Sequence, residues 1–104
     1  MTTFDERERA FENRFAHEQD LQFQAIAQRN RAIGLWAAER LGKSGALADA
    51  YAASVVATGI AEAGDAIVAQ KIRADLVAGG VTVTESDIAA RMSKLLGEAI
   101  AAQK

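Results

Sequence analysis

The chain has 104 residues, half of them apolar, a formal net charge of −2, and neither cysteine nor proline. That length fits one domain able to bury a core without disulfides or metal, and the lack of cysteine excludes a thiolate nucleophile, a disulfide framework and a cysteine-based zinc site. No basic face marks a nucleic-acid binder, and neither a signal-like opening nor an apolar run of spanning length is present, which points to a cytoplasmic protein without direct membrane insertion.

Much of the apolar content is alanine and strand-forming residues are sparse, so an all-α fold is expected. The opening stretch, TTFDERERAFENRFAHEQD, is helical in pattern. Thr3 to Glu6 has the spacing of a capping box, and Asp5–Arg9 and Arg14–Glu18 have that of helical ion pairs. Seven of the ten residues 5–14 are charged, yet Phe4, Glu8, Phe11 and Phe15 fall on one face. Residues 1–18 carry five acids against three bases, and the rest of the chain is balanced.

From Leu21 the pattern becomes that of a bundle helix, with Phe23, Ile26, Asn30, Ile33, Ala37 and Leu41 at three- and four-residue spacing. Gly42 suits the position just past its end. Ser44 is the expected cap of a second helix with Leu47, Tyr51, Val55 and Thr58 inward. Gly64 and Asp65 read as a stop followed by a new cap. A third helix then turns Val68, Ile72 and Leu76 inward, flanked by Ile67, and Gly79-Gly80 ends it. After the apolar linker Val81-Thr82-Val83, Thr84 to Asp87 opens a last helix with Ile88, Met92, Leu95, Leu96, Ala99 and Ile100 inward.

These elements predict a four-helix bundle with short turns over residues 19–104, preceded by a mobile or marginally helical segment over residues 1–18. Were the first helix to begin at Thr3, it would be nearly twice as long as its neighbours and about 18 residues would project past them. A free helix of that length is marginal in water. Burying the three phenylalanines offers roughly 5–8 kcal/mol gross against about 4 kcal/mol for helix nucleation. Coupled folding and binding is therefore open to the segment, as are fold-back, homodimerisation or a solvated tail. A helix lying on a membrane surface would favour a basic polar face, and this one is net acidic.

Three stretches, FDERERAFENRFAHEQDLQF, RNRAIGLWAAERLG and RADLVAGGVTVTESDIAARM, resemble in sequence and in order the zeta inhibitor subunits of the alphaproteobacterial F-type ATP synthase. The likeness is densest from Phe4 to Gly42. The resemblance implies a four-helix bundle whose mobile N-terminal segment enters a catalytic α/β interface near the γ subunit, folds there as a helix and blocks ATP hydrolysis. The partners implied are the α, β and γ subunits, at the cytoplasmic head peripheral to the inner membrane, with a monomer expected when free. On that view the inhibitory segment is Met1 to about His17. The helical face then suggests Phe4, Phe11 and Phe15 as apolar anchors and Arg7, Glu8, Arg9 and Arg14 as orienting charges. Gln22, Gln24 and Gln28 depart from the family pattern by leaving the first helix less charged. The competing reading is a helical adaptor or homodimerising module that uses the phenylalanine stripe on an unrelated protein.

No set of nucleophile, base and orienting group supports enzymatic chemistry, and no cofactor or metal site is expected. His17, the one histidine, reads as a solvated hinge residue ahead of a pH sensor. Trp36, off the main stripe, is expected to pack on a neighbouring helix or close the bundle end. Asn30 suits a buried register-setting hydrogen bond or a wet edge position. Gly79-Gly80 lacks phosphate-loop spacing and follows a helix. Asp65, Asp75 and Asp87 read as caps and surface charges.

Overall fold

The computed structural model describes the backbone of residues 3–62 and 64–103, and the side chains of residues 18–62 and 64–103. Four helices follow one another: α1 (Thr3–Arg40), α2 (Gly45–Ala61), α3 (Asp65–Ala78) and α4 (Glu85–Ala102). The fold is all-α, as the alanine-rich, helix-periodic sequence implies.

Local signals set the ends. Gly42 lies at φ 75°, where only glycine sits without steric cost. Its amide donates to the Glu39 carbonyl at 3.0 Å and the next amide, Lys43, to the Ala38 carbonyl at 2.8 Å, so α1 ends with its last carbonyls satisfied. The same closure recurs after α3, where Gly80 and Val81 donate to the carbonyls of Val77 and Leu76. At the start of α4 the Thr84 hydroxyl accepts from the Asp87 amide at 3.1 Å, and the Asp87 carboxylate accepts from the Thr84 amide at 3.4 Å. This is a complete capping box. Ser44 and Asp65 differ from expectation. Ser44 precedes α2 but makes no side-chain cap bond. Gly64 occupies the cap position of α3, and Asp65, one residue later, uses its carboxylate elsewhere.

The helices run up, down, up, down. Gly34 meets Ala52 and Asn30 meets Gly59 across α1 and α2. The Tyr51–Asp75 bond joins α2 to α3. Arg73 of α3 pairs with Glu85 of α4 at 3.4 Å. Between them lies a core of Ile33, Ala37, Val55, Val68, Ile72, Leu76, Ile88 and Met92, closed at its edges by Trp36, Leu41, Tyr51, Val81, Val83 and Leu95. The expected inner faces of α3 and most of α4 are therefore the observed ones.

Four expected core positions are exposed: Phe23, Ile26, Leu47 and Ile100. One cause serves all four. With 14 residues, α3 is the shortest helix and spans fewer turns than its neighbours. Leu47 in the first turn of α2, Ile100 in the last turn of α4, and Phe23 and Ile26 on α1 all lie beyond its ends.

α1 is continuous for 38 residues. The Gln103 side-chain amide donates to the Leu21 carbonyl at 2.7 Å, which fixes the level on α1 at which α4 stops. The 18 helical residues before Leu21 run about 27 Å past that level at about 1.5 Å per residue. The principal extents are 64 × 28 × 25 Å.

Candidate functional site

The sequence-derived candidates Phe4, Arg7, Glu8, Arg9, Phe11, Arg14 and Phe15 all lie on the backbone of α1, with side chains outside the described residues, as is the His17 side chain. The Thr3–Glu6 capping box falls in the same stretch. The helical backbone settles their register. Offsets of seven and four residues return Phe4, Phe11 and Phe15 to one side of the helix within about 40° at 3.6 residues per turn. The seven candidates share one element that departs from the bundle as a single rod.

What anchors that rod is a polar junction about two turns into the bundle. Arg29 is 2% exposed and Asn30 3%. The Arg29 Nε donates to Asn30 Oδ1 at 2.9 Å, and its Nη2 donates to Asp65 Oδ1 at 2.6 Å. A buried guanidinium is costly unless hydrogen-bonded. Here the carboxylate comes from the first turn of α3, so the ion pair ties the α2–α3 turn to α1. The Asn30 amide rests on Gly59 so closely that a side chain there would collide with it. One turn further, a methyl group on Gly34 would sit 2.8 Å from the Ala52 backbone, so only glycine lets α1 and α2 cross at this separation. Of these, the sequence pointed to Asn30 as a buried hydrogen-bonding position and to Asp65 only as a cap or surface charge. Arg29 was legible in principle, because it is four residues before Ile33 and shares its stripe.

At the opposite end, Trp36 closes the bundle as expected. The guanidinium carbons of Arg40 and Arg91 stand 4.6 and 4.9 Å from its ring centroid, within cation–π range. A cleft of about 460 Å³ opens beside them, with Asp87 and Lys94 on its rim. Tyr51 donates to Asp75 Oδ2 at 2.8 Å, and Lys71 donates to the same oxygen at 3.0 Å. Burial, the bond to Asp75 and the negative charge of Asp75 push the Tyr51 phenol above its ordinary value. Asp75 is thus a pairing residue between helices and not only a surface charge. Among the described residues no three His, Cys, Asp or Glu side chains come together as metal ligands, and no helix is long and apolar enough to cross a membrane.

Comparison with known proteins bears on the same residues. The family model described as ATPase inhibitor subunit zeta matches residues 1–102. Two chains of solved structures match. One of them, determined by solution NMR, is 43% identical, with 78% of this chain and 92% of that chain covered at a TM-score of 0.67. No curated protein matches significantly. The matched range contains the buried junction of Arg29 and Asn30, the close crossing at Gly34 and the end-closing Trp36.

Proposed function

Because the chain belongs to the ATPase inhibitor subunit zeta family, we propose that it blocks ATP hydrolysis by the F-type ATP synthase by inserting the start of α1 at a catalytic α/β interface beside γ. In this reading residues 1–18 are the inhibitory unit and residues 19–104 the anchoring bundle. The partners are the α, β and γ subunits of the cytoplasmic head, and the protein is peripheral to the membrane through them. The observation that carries it is the length of α1, which continues about 27 Å beyond the end of α4.

The energetics favour this arrangement. A detached peptide would lose about 4 kcal/mol to helix nucleation. A segment that prolongs a helix already held by Arg29, Asn30 and the core needs only propagation. The burial of Phe4, Phe11 and Phe15, about 1.5–3 kcal/mol each, then goes largely into docking. Arg7, Glu8, Arg9 and Arg14 orient the rod by charge more than they tighten it. A rotary site must open and close in turn, and a helix bound more tightly to a nearly closed interface shifts the population to that state and stalls it. Hydrolysis and synthesis visit those states in opposite order, so rotation in one direction traps the helix and rotation in the other releases it.

The test is ATP hydrolysis by the purified cognate head with the full chain and with a form lacking residues 1–17. The truncated form should keep its helical spectrum and lose inhibition. Full inhibition by the truncated form overturns the assignment.

A further inference from the structure

The four helices leave a step in the side of α1. At the α2–α3 turn Asp65 holds Arg29 of α1 by a 2.6 Å bond, whereas α4 reaches Leu21. Over the eight residues from Leu21 to Arg29, about 12 Å of helix, α1 is flanked by α4, and its Phe23 and Ile26 side stands open among the described residues. Beside the exposed Gln22, Gln24 and Gln28, this step carries large apolar residues in contact with water. Phe23 is 58% exposed, Ile26 41% and, at the tip of α2, Ile60 63%. All three line one open groove of about 490 Å³ whose floor includes Val68 and Gly59. Clustered large apolar side chains at a concave site mark a protein contact more than a solvated surface.

The step also continues the candidate stripe. Ile26 follows Phe15 by eleven residues, three turns of helix, and Phe4 by twenty-two, so all share one register on a single rod. A body that takes the Phe4–Phe15 side of α1 meets Ile26 about 16 Å further on, with Phe23 and Ile60 beside it. We propose that Phe23, Ile26 and Ile60 are a second docking surface for the same ATPase head, filled by the rim of the subunit pair that receives the start of α1. The groove takes an apolar projection of that rim and fixes how far the rod enters. This rests on the proposed inhibitory role, because it names the part of the bundle that the same partner touches.

The test uses the full chain carrying Phe23→Ser and Ile60→Ser, and the chain lacking residues 1–17 with and without that pair. Both positions are more than half exposed, so helicity and denaturation midpoint should match the parent. A fall in either is resolved by repeating the measurement with Phe23→Gln and Ile60→Gln. Against the purified head, the double variant should raise the half-inhibitory concentration by about tenfold or more, the scale of two partly buried side chains. The truncated form should bind without inhibiting, and its binding should vanish with the double substitution. Unchanged inhibition by a folded double variant overturns the surface while leaving the inhibitory reading intact. Absence of inhibition by the full parent chain overturns both. A parent chain that sediments as a dimer, and a double variant that sediments as a monomer, would assign the groove to a second copy and overturn the proposal.

Discussion

A guanidinium excluded from water must find its partners inside the protein. Arg29 does so with one neighbour in sequence and one 36 residues away. Asp65 is itself exposed, so the pair is anchored by the arginine and adjusted by the aspartate. Its strength lies in the cost of leaving the buried partner unpaired more than in the attraction itself. Tyr51 follows the same logic with a titratable group. Replacing it with phenylalanine should cost about 1 kcal/mol, the net worth of one hydrogen bond. The pH dependence has a definite sign. The phenol is raised in the folded state, while the unfolded chain ionises near the ordinary value of about 10. Its stabilising contribution is therefore fully present below pH 10 and declines above it, where the unfolded state has released a proton that the native state retains. Urea titrations of the parent and Tyr51→Phe should diverge at neutral pH and converge above pH 10. Tyr51 is the one tyrosine, so phenolate absorbance should report its ionisation together with unfolding. A gap that stays constant across that range would contradict the assignment.

At the level of elements, two serine or threonine residues precede helices in equivalent positions and do different things. Thr84 accepts from the Asp87 amide and completes a reciprocal cap, whereas Ser44 makes no side-chain cap bond. Thr84→Ala should thus lower stability by about 1 kcal/mol and Ser44→Ala by a few tenths at most, as read from denaturant midpoints at constant slope. Equal losses would show that the caps are governed by intrinsic preference and not by the bonds made. The contrast has a local origin. Asp87 in α4 supplies the third-position carboxylate that a capping box needs, while α2 offers Leu47 there. Glycine at position 34 likewise serves the crossing of two helices and not the helix that contains it. Alanine would favour the α1 helix by itself by about 1 kcal/mol, but its methyl would meet the Ala52 backbone.

For the whole molecule, length is the deciding property. A chain of this size folded into a sphere-like domain has a radius of gyration of about 13 Å, whereas the Cα value here is 17.4 Å. The excess belongs to α1, which is more than twice as long as α2. Removing residues 1–17 should bring the scattering radius of gyration toward about 13 Å and leave the denaturation midpoint within error, since every core residue among the described ones lies beyond Leu21. A large loss of stability in that form would mean that the first half of α1 is packed on the bundle.

Composition and spacing alone determined that the protein is all-helical, where three of the four helices begin and end, that Thr84 and Gly42 are terminal signals, and that Ile33, Val55, Val68, Ile72, Leu76, Ile88 and Met92 form the core. They also placed Phe4, Phe11 and Phe15 on one register. These features depend on residues within about three turns of each other along one helix, and the physics of helix ends and helical faces acts over that range. Tertiary structure decided the rest. Periodicity identifies the face a helix offers but not how far its neighbour extends, so the shortness of α3 turned Phe23, Ile26, Leu47 and Ile100 outward. Nor does it name partners across distant turns, so the Arg29–Asp65 and Tyr51–Asp75 pairs, joined over 36 and 24 residues, appear only once the helices are stacked.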